Sequence, residues 1–163
     1  MAAVIYQRNG AGEDLTDKTG GTLWFCKADT AAPSGVGEYL TVPTAGNTTY
    51  SYEIYVRPYF FSYTSATNLC VYTDGSNSFG TGEAVFAKTV SSYATPVQAT
   101  STTGYTLITS YTSASPLSLG AGPYTGTGDK GAYLKLIGMV DDTCLGNSDG
   151  SQSEGLTFSW DEI

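Results

Sequence analysis

Tyr50-Ser51-Tyr52-Glu53-Ile54-Tyr55-Val56-Arg57 alternates strictly in character. In an extended chain Tyr50, Tyr52, Ile54 and Val56 fall on one side, and Ser51, Glu53, Tyr55 and Arg57 on the other. A period of two is the mark of a half-buried β-strand. Pro58 follows and has no amide hydrogen to donate, which predicts that the strand ends there or lies at a sheet edge. Downstream, Gly131–Val140 carries large apolar groups on both alternating faces apart from Lys135 and Gly138, as a central strand covered on two sides would. Near the end, Leu156, Phe158 and Trp160 share one face and Thr157 and Ser159 the other.

The segments between these anchors repeat the theme. Val4–Gln7, Thr22–Lys27, Glu38–Val42, Asn68–Tyr72, Glu83–Thr89 and Thr106–Tyr111 each read as a short strand. Asn9–Gly12, Pro33–Gly37 and Pro43–Asn47 read as turns, and Thr73–Asn77 as a hairpin-type connection, because Gly, Pro, Asn and Asp set turn dihedrals. The expected fold is all-β, a β-sandwich or jelly roll of about eight to nine short strands with little or no helix. Its core should include Leu69, Val71, Leu134, Leu136, Val140, Phe158 and Trp160. At 163 residues the chain fits a single domain spanning 1–163. Residues 1–12 form a candidate extended N-terminal arm. Met1–Tyr6 is apolar and is set apart by Asn9-Gly10-Ala11-Gly12, so it either adds as a strand to a neighbouring molecule or pairs within its own sandwich. Tyr63–Ala66 recurs as Tyr111–Ala114 and Gly80–Gly82 as Gly126–Gly128, as a duplicated half-sandwich or chance in a Gly/Ser/Thr-rich chain would produce.

More than a third of the chain is Gly, Ser or Thr, yet 13 Tyr, 6 Phe and 2 Trp supply the aromatic burial that disordered chains lack. Seven Lys+Arg against fifteen Asp+Glu give a net charge of −8, which disfavours nucleic acid and anionic membranes as partners. The absence of histidine removes Ser-His-Asp triads, Cys-His dyads and imidazole-bound zinc. No pair of carboxylates is singled out for glycoside hydrolysis, and Gly80-Thr81-Gly82 and Gly126-Thr127-Gly128 lack the Lys-Ser/Thr that a phosphate loop needs. The expectation is a non-catalytic protein with no cofactor. Asp141-Asp142 and Asn147–Gly150 bracket a loop with oxygens suited to calcium, but the spacing departs from an EF-hand, so it reads as a solvated turn and no metal is assigned. Cys26, Cys70 and Cys144 are odd in number and widely spaced, which predicts reduced thiols. Met1–Arg8 reaches a charge before a signal-length apolar run, so folding in a cytoplasm is expected.

The remaining candidate is a surface rather than a catalytic centre. Tyr50, Tyr52, Tyr55, Tyr59, Phe60, Phe61 and Tyr63 concentrate aromatic area in one stretch. Such rings fill a core, a protein interface or a sugar-stacking site. Val4, Ile5, Tyr6, Tyr55, Tyr59 and Phe60 are the candidate interface residues, with Tyr55, on the Glu53/Arg57 face, the ring most expected outside.

Several blocks give the chain a likeness to a known class: Asp17-Lys18-Thr19-Gly20-Gly21-Thr22, Tyr50–Glu53, Tyr72–Asn77 with Gly80-Thr81-Gly82, Tyr111–Leu117 and the ending Thr157–Ile163. Together they resemble small virion structural proteins of tailed bacteriophages, a likeness spanning most of the chain. The resemblance implies a component of the particle, and the charge of −8, which packaged DNA would repel, favours a capsid decoration (cement) protein on its outer surface, with the major capsid protein or other virion proteins as partners and a homo-oligomer or multivalent array as the working form. It carries over no catalytic residues. A neck or tail component, or a carbohydrate- or receptor-binding module of a tail fibre, is the alternative within the same class.

Overall fold

The computed structural model describes residues 2–61, 65–145 and 154–163. Eleven strands lie among them: β1 Ala2–Asn9, β2 Asp14–Asp17, β3 Thr48–Tyr50, β4 Ile54–Phe61, β5 Ala66–Tyr72, β6 Glu83–Val90, β7 Thr106–Leu107, β8 Leu117–Gly120, β9 Gly128–Asp129, β10 Tyr133–Asp141 and β11 Thr157–Glu162. Single 3-10 turns at Val36–Glu38 and Ile108–Ser110 are the helical elements of the described residues, so no helix there is long and apolar enough to cross a membrane. Eight strands form one antiparallel sheet in the order β2-β1-β4-β10-β6-β7, with β3 also on β10 and β9 also on β4, and β11-β5-β8 form a second. The chain is an all-β sandwich. The strands beyond those expected are pieces of two to four residues, namely β2, β3, β8 and β9, too short to impose a visible period.

The core lies between the sheets. Ile54, Val56 and Phe60 of β4, Leu134 and Leu136 of β10, and Val85 and Ala87 of β6 meet Ala66, Leu69 and Val71 of β5 and Leu119 of β8. Phe158 and Trp160 of β11 close it from the small sheet. All seven residues expected inside are buried or packed against this cluster, Val140 included. Strand β10 runs between β4 and β6 and buries residues on both faces, as its doubly apolar pattern predicts.

The Tyr50–Arg57 alternation is broken once. Tyr50 of β3 is paired with Met139 and Ile54 of β4 with Leu136, so three residues, Ser51 to Glu53, stand opposite two, Ile137 and Gly138. This bulge moves Tyr50 to the opposite face from Ile54 and Val56, correcting the expectation that they share one. Local bonds hold it: the Ser51 amide donates to the Gly138 carbonyl (2.9 Å), and the Gly138 amide donates to Ser51 Oγ (2.8 Å).

Pro58 neither ends β4 nor lies at an edge. It is paired with Ile5 of β1, whose own amide and carbonyl face away, toward Thr19 Oγ1 and the Lys18 amide. On its other side the Pro58 carbonyl accepts from the Lys130 amide, in the gap where β10 has ended and β9 begins. The missing donor falls where the ladder has no acceptor to satisfy.

Other expectations change for tertiary reasons. Residues 22–27 and 38–42 form no strands; their backbones pair at a single Cys26–Tyr39 bridge, and the segment docks as a loop. Phe25 lies on Gly138, where a Cβ would come 2.6 Å from the Phe25 Cβ. Strand Thr106–Tyr111 shrinks to β7 and a 3-10 turn. Thr73–Asn77 is no hairpin: β5 and β6 belong to different sheets, so this link crosses the sandwich. The N-terminal segment pairs within its own molecule, with β4 from Ala2 to Arg8 and with β2 from Tyr6 to Asn9. The 46-residue echo does not mark equivalent positions: Gly80-Thr81-Gly82 leads into β6, which lies on β10, while Gly126-Thr127-Gly128 leads into β9, which lies on β4. Tyr63 and Thr64 lie outside the described residues.

Candidate interaction surface

The outer face of the large sheet, away from the core, holds most of the chemistry. Register places Arg8, Tyr55, Lys135 and Lys88 in one row across β1, β4, β10 and β6. Loops cover this half. Tyr93 stacks edge-on against Tyr55, with centroids 4.9 Å apart, and the Lys135 ammonium lies 5.0 Å from the Tyr55 ring centre while pairing with Glu53. Tyr55 is therefore only 2% exposed, which corrects its assignment as an outward ring. It does point away from the core, as its parity requires, but the loop after β6 lies over it.

Beside Tyr55, Arg8 pairs with Glu13 (3.0 Å) and with Asp129, and Arg57 stands 4.0 Å from Asp129 and 4.6 Å from the Tyr133 ring centre. The Tyr133 hydroxyl donates to Glu13 Oε1 (2.6 Å). Glu13 itself sits in the left-handed region at φ 56, a strained backbone for a non-glycine residue, held by these two contacts to its carboxylate. Sequence reasoning missed this network, because ion pairs 121 residues apart, such as Arg8 with Asp129, leave no local signal.

Burial raises Tyr93, Tyr105 and Tyr133 in this layer. Tyr93 is pushed up to about 12 by desolvation, with Asp29 and Glu13 adding to it. Tyr105 is pushed up to about 12 by desolvation with Glu53 in support and Lys135 opposing. Burial alone would lower Lys135, but its bonds to Glu53 and Tyr55 outweigh that and lift it. A group whose folded pKa is raised contributes stability that is fully present below its unfolded value and lost as pH climbs through the folded one. The protein should therefore hold its melting temperature up to about pH 10, the unfolded tyrosine value, and lose it between about 10 and 12. Thermal melts across this range, with tyrosinate absorbance followed in parallel, check this: ionisation of Tyr93 and Tyr105 should coincide with unfolding rather than precede it.

The other half of the outer face is open. Val4 is paired with Tyr59, and Tyr6 with Arg57, so Val4, Tyr6 and Tyr59 lie on it together with Phe61. The Tyr6 and Tyr59 rings stand at 76° with centroids 5.8 Å apart, and Tyr59 and Phe61 at 57° and 4.9 Å. Phe61 is 40% exposed, and Val4, Tyr6 and Tyr59 are half-buried. Of the six interface residues expected from sequence, three are thus gathered here. Ile5 and Phe60 point the other way, into the sandwich, because successive residues of a strand alternate, and Phe60 is fully buried.

A shallow groove of about 210 Å³ adjoins the covered half, lined by Glu53, Lys88, Gln98, Thr100, Ser101 and Tyr105 among others. The loop considered for calcium is otherwise engaged in its described part. Asp141 accepts from the Thr143 amide and hydroxyl, which hold its carboxyl below the usual range, and Asp142 accepts from the Gly46 amide. Asn147–Gly150 lies outside the described residues. Cys26, Cys70 and Cys144 are thiols with no disulfide among them. Burial pushes the Cys26 thiol up, which makes it a poor nucleophile.

A scan of protein-family models finds none that matches the chain, and searches of the curated proteins and of the solved structures return no significant match. The chemistry available on the open half is contact rather than catalysis: two tyrosine hydroxyls, three ring faces and one aliphatic group, held on paired strands.

Proposed function

We propose that the chain is a non-catalytic structural protein of a tailed-bacteriophage particle, a capsid decoration (cement) protein bound on the outer surface of the shell. The observation that carries this reading is the open aromatic patch of Val4, Tyr6, Tyr59 and Phe61. Rings set at 76° and 57° to one another make an uneven surface, suited to interlocking with side chains of a protein partner and ill suited to stacking on a flat sugar face. Charge supports the outside position. Four of the seven cations, Arg8, Arg57, Lys88 and Lys135, are drawn into contacts with rings of the chain, leaving an acidic exterior that packaged DNA would repel. Weak contacts repeated over many shell subunits suffice for such a role.

The second reading, a receptor-binding module of a tail fibre, is favoured by the groove beside Tyr105, whose hydroxyl, amide and carboxylate groups suit a saccharide. Electron microscopy of tailed particles from the source of this sequence, labelled with an antibody against the chain, decides between them. Label over the head is expected, and label confined to fibres, or none, overturns the decoration reading. Recombinant chain carrying Tyr59→Ser and Phe61→Ser should lose most occupancy on particles stripped of it, with little change in its own melting temperature.

A further inference from the structure

Asn9-Gly10 is the one Asn-Gly pair in the chain. Asn-Gly is the sequence most prone to spontaneous deamidation, because glycine leaves its own amide nitrogen free to reach the neighbouring side chain. In that reaction the Gly10 nitrogen loses its proton and attacks the Asn9 side-chain carbonyl carbon, the bond to the side-chain nitrogen breaks, and ammonia leaves. Water then opens the resulting succinimide at either carbonyl to give aspartate or isoaspartate.

Both reacting groups are held by one side chain. The Gly10 amide donates to Asp29 Oδ2 (2.9 Å), and Asn9 Nδ2 donates to Asp29 Oδ1 (2.9 Å). A hydrogen bond to an anion opposes loss of the Gly10 proton, since the nitrogen anion would then face a carboxylate. The second bond turns the Asn9 amide group toward Asp29 and holds it there. Asn9 is also paired with Asp14 across the β1–β2 hairpin, and the Tyr93 hydroxyl donates to the Gly10 carbonyl (2.6 Å). Asn9 Oδ1 is buried without a hydrogen-bond partner among the described residues, a cost that the grip on Nδ2 accepts.

We propose that Asn9-Gly10 is a latent deamidation site and that Asp29 is the residue that keeps it silent. The inference is independent of the functional reading above. A carboxylate formed at position 9 would lie against Asp29 in a largely buried site and would open the β1–β2 hairpin.

The test incubates the folded chain at mildly alkaline pH and follows, by peptide mass spectrometry, the one-dalton gain and isoaspartate at Asn9. Losing a hydrogen bond to a charged acceptor corresponds to a factor of roughly ten to a hundred, so Asp29→Ala should deamidate at Asn9 faster than wild type by that factor. Tyr93→Phe loosens the same turn without touching the Asp29 grip and should stay at the wild-type rate. Equal rates for Asp29→Ala and wild type overturn the proposal, and so does a Tyr93→Phe rate as high as that of Asp29→Ala, which would make general loosening the cause. If Asp29→Ala does not fold, Asp29→Asn replaces it: it keeps an oxygen for Gly10 but forfeits the charge, and a rate unchanged from wild type overturns the proposal equally.

Discussion

Phe60→Ala should destabilise the protein by about 3–5 kcal/mol, the range for removing a fully buried aromatic side chain. Phe60 is fully buried, and its ring lies 5.0 Å from that of Trp160, so it joins β4 of the large sheet to β11 of the small one. The small sheet has three strands and offers the core few large groups, and β11 contributes Phe158 and Trp160. Removing Phe60 takes away a ring 5.0 Å from that of Trp160 across the interface, and β11, an edge strand, cannot collapse inward without giving up its pairing to β5. Urea denaturation followed by tryptophan fluorescence checks this. A loss under about 1 kcal/mol would mean that the two sheets re-pack freely.

Asp129→Ala carries the next largest expected effect, about 2–3 kcal/mol. Breaking a buried ion pair by removing one partner costs about 3–5 kcal/mol because the other charge stays buried. The lower figure is chosen because the Asp129 side chain is 29% exposed and partly screened by solvent. Asp129 lies between two guanidinium groups: Arg8, whose side chain is 6% exposed, and Arg57. Without it the two cations face each other, and among the described residues Arg8 keeps Glu13 alone as a counter-charge. The loss should shrink when Arg8→Met is added to Asp129→Ala, since the stranded charge is then gone. A double-mutant cycle in urea measures it, and a double variant as unstable as the sum of the singles would show that the residues do not interact.

The strand framework was legible where burial imposes a period. β10 and β11 read correctly because their faces are decided by the core, and β4 read correctly over Ile54 to Arg57, though it continues through Pro58 to Phe61. The breaks were not legible. The bulge at Ser51–Glu53 depends on Gly138 of a strand more than 80 residues away, and the bulge in β5 sets Asn68 and Leu69 opposite Trp160 alone, with Asn68 at φ 54. Each re-phases its strand, and neither leaves a mark on the alternation before the partner strand is known. Of the candidate interface, Val4, Tyr6 and Tyr59 were identifiable by apolar and aromatic character, but so were Ile5 and Phe60, which alternate to the core side, and Tyr55, which is covered by a loop whose landing place has no sequence signature.

By itself, then, the sequence determined that this is an all-β chain with a core of Leu69, Val71, Leu134, Leu136 and their neighbours, because periodic burial of apolar groups is written residue by residue. It also determined that histidine-based chemistry is absent, since that follows from composition alone. Only the tertiary structure decided that Ala2–Tyr6 belongs to a strand of the molecule's own sheet, that Pro58 lies mid-strand in a gap between β9 and β10, that Arg8, Arg57, Glu13 and Asp129 form one network, and that Asp29 grips Asn9 and Gly10. Each of these depends on which distant segment supplies a hydrogen-bond partner, a counter-charge or a covering ring. Such partners act through space over a few ångströms, and a one-dimensional pattern does not record which residues come within that distance.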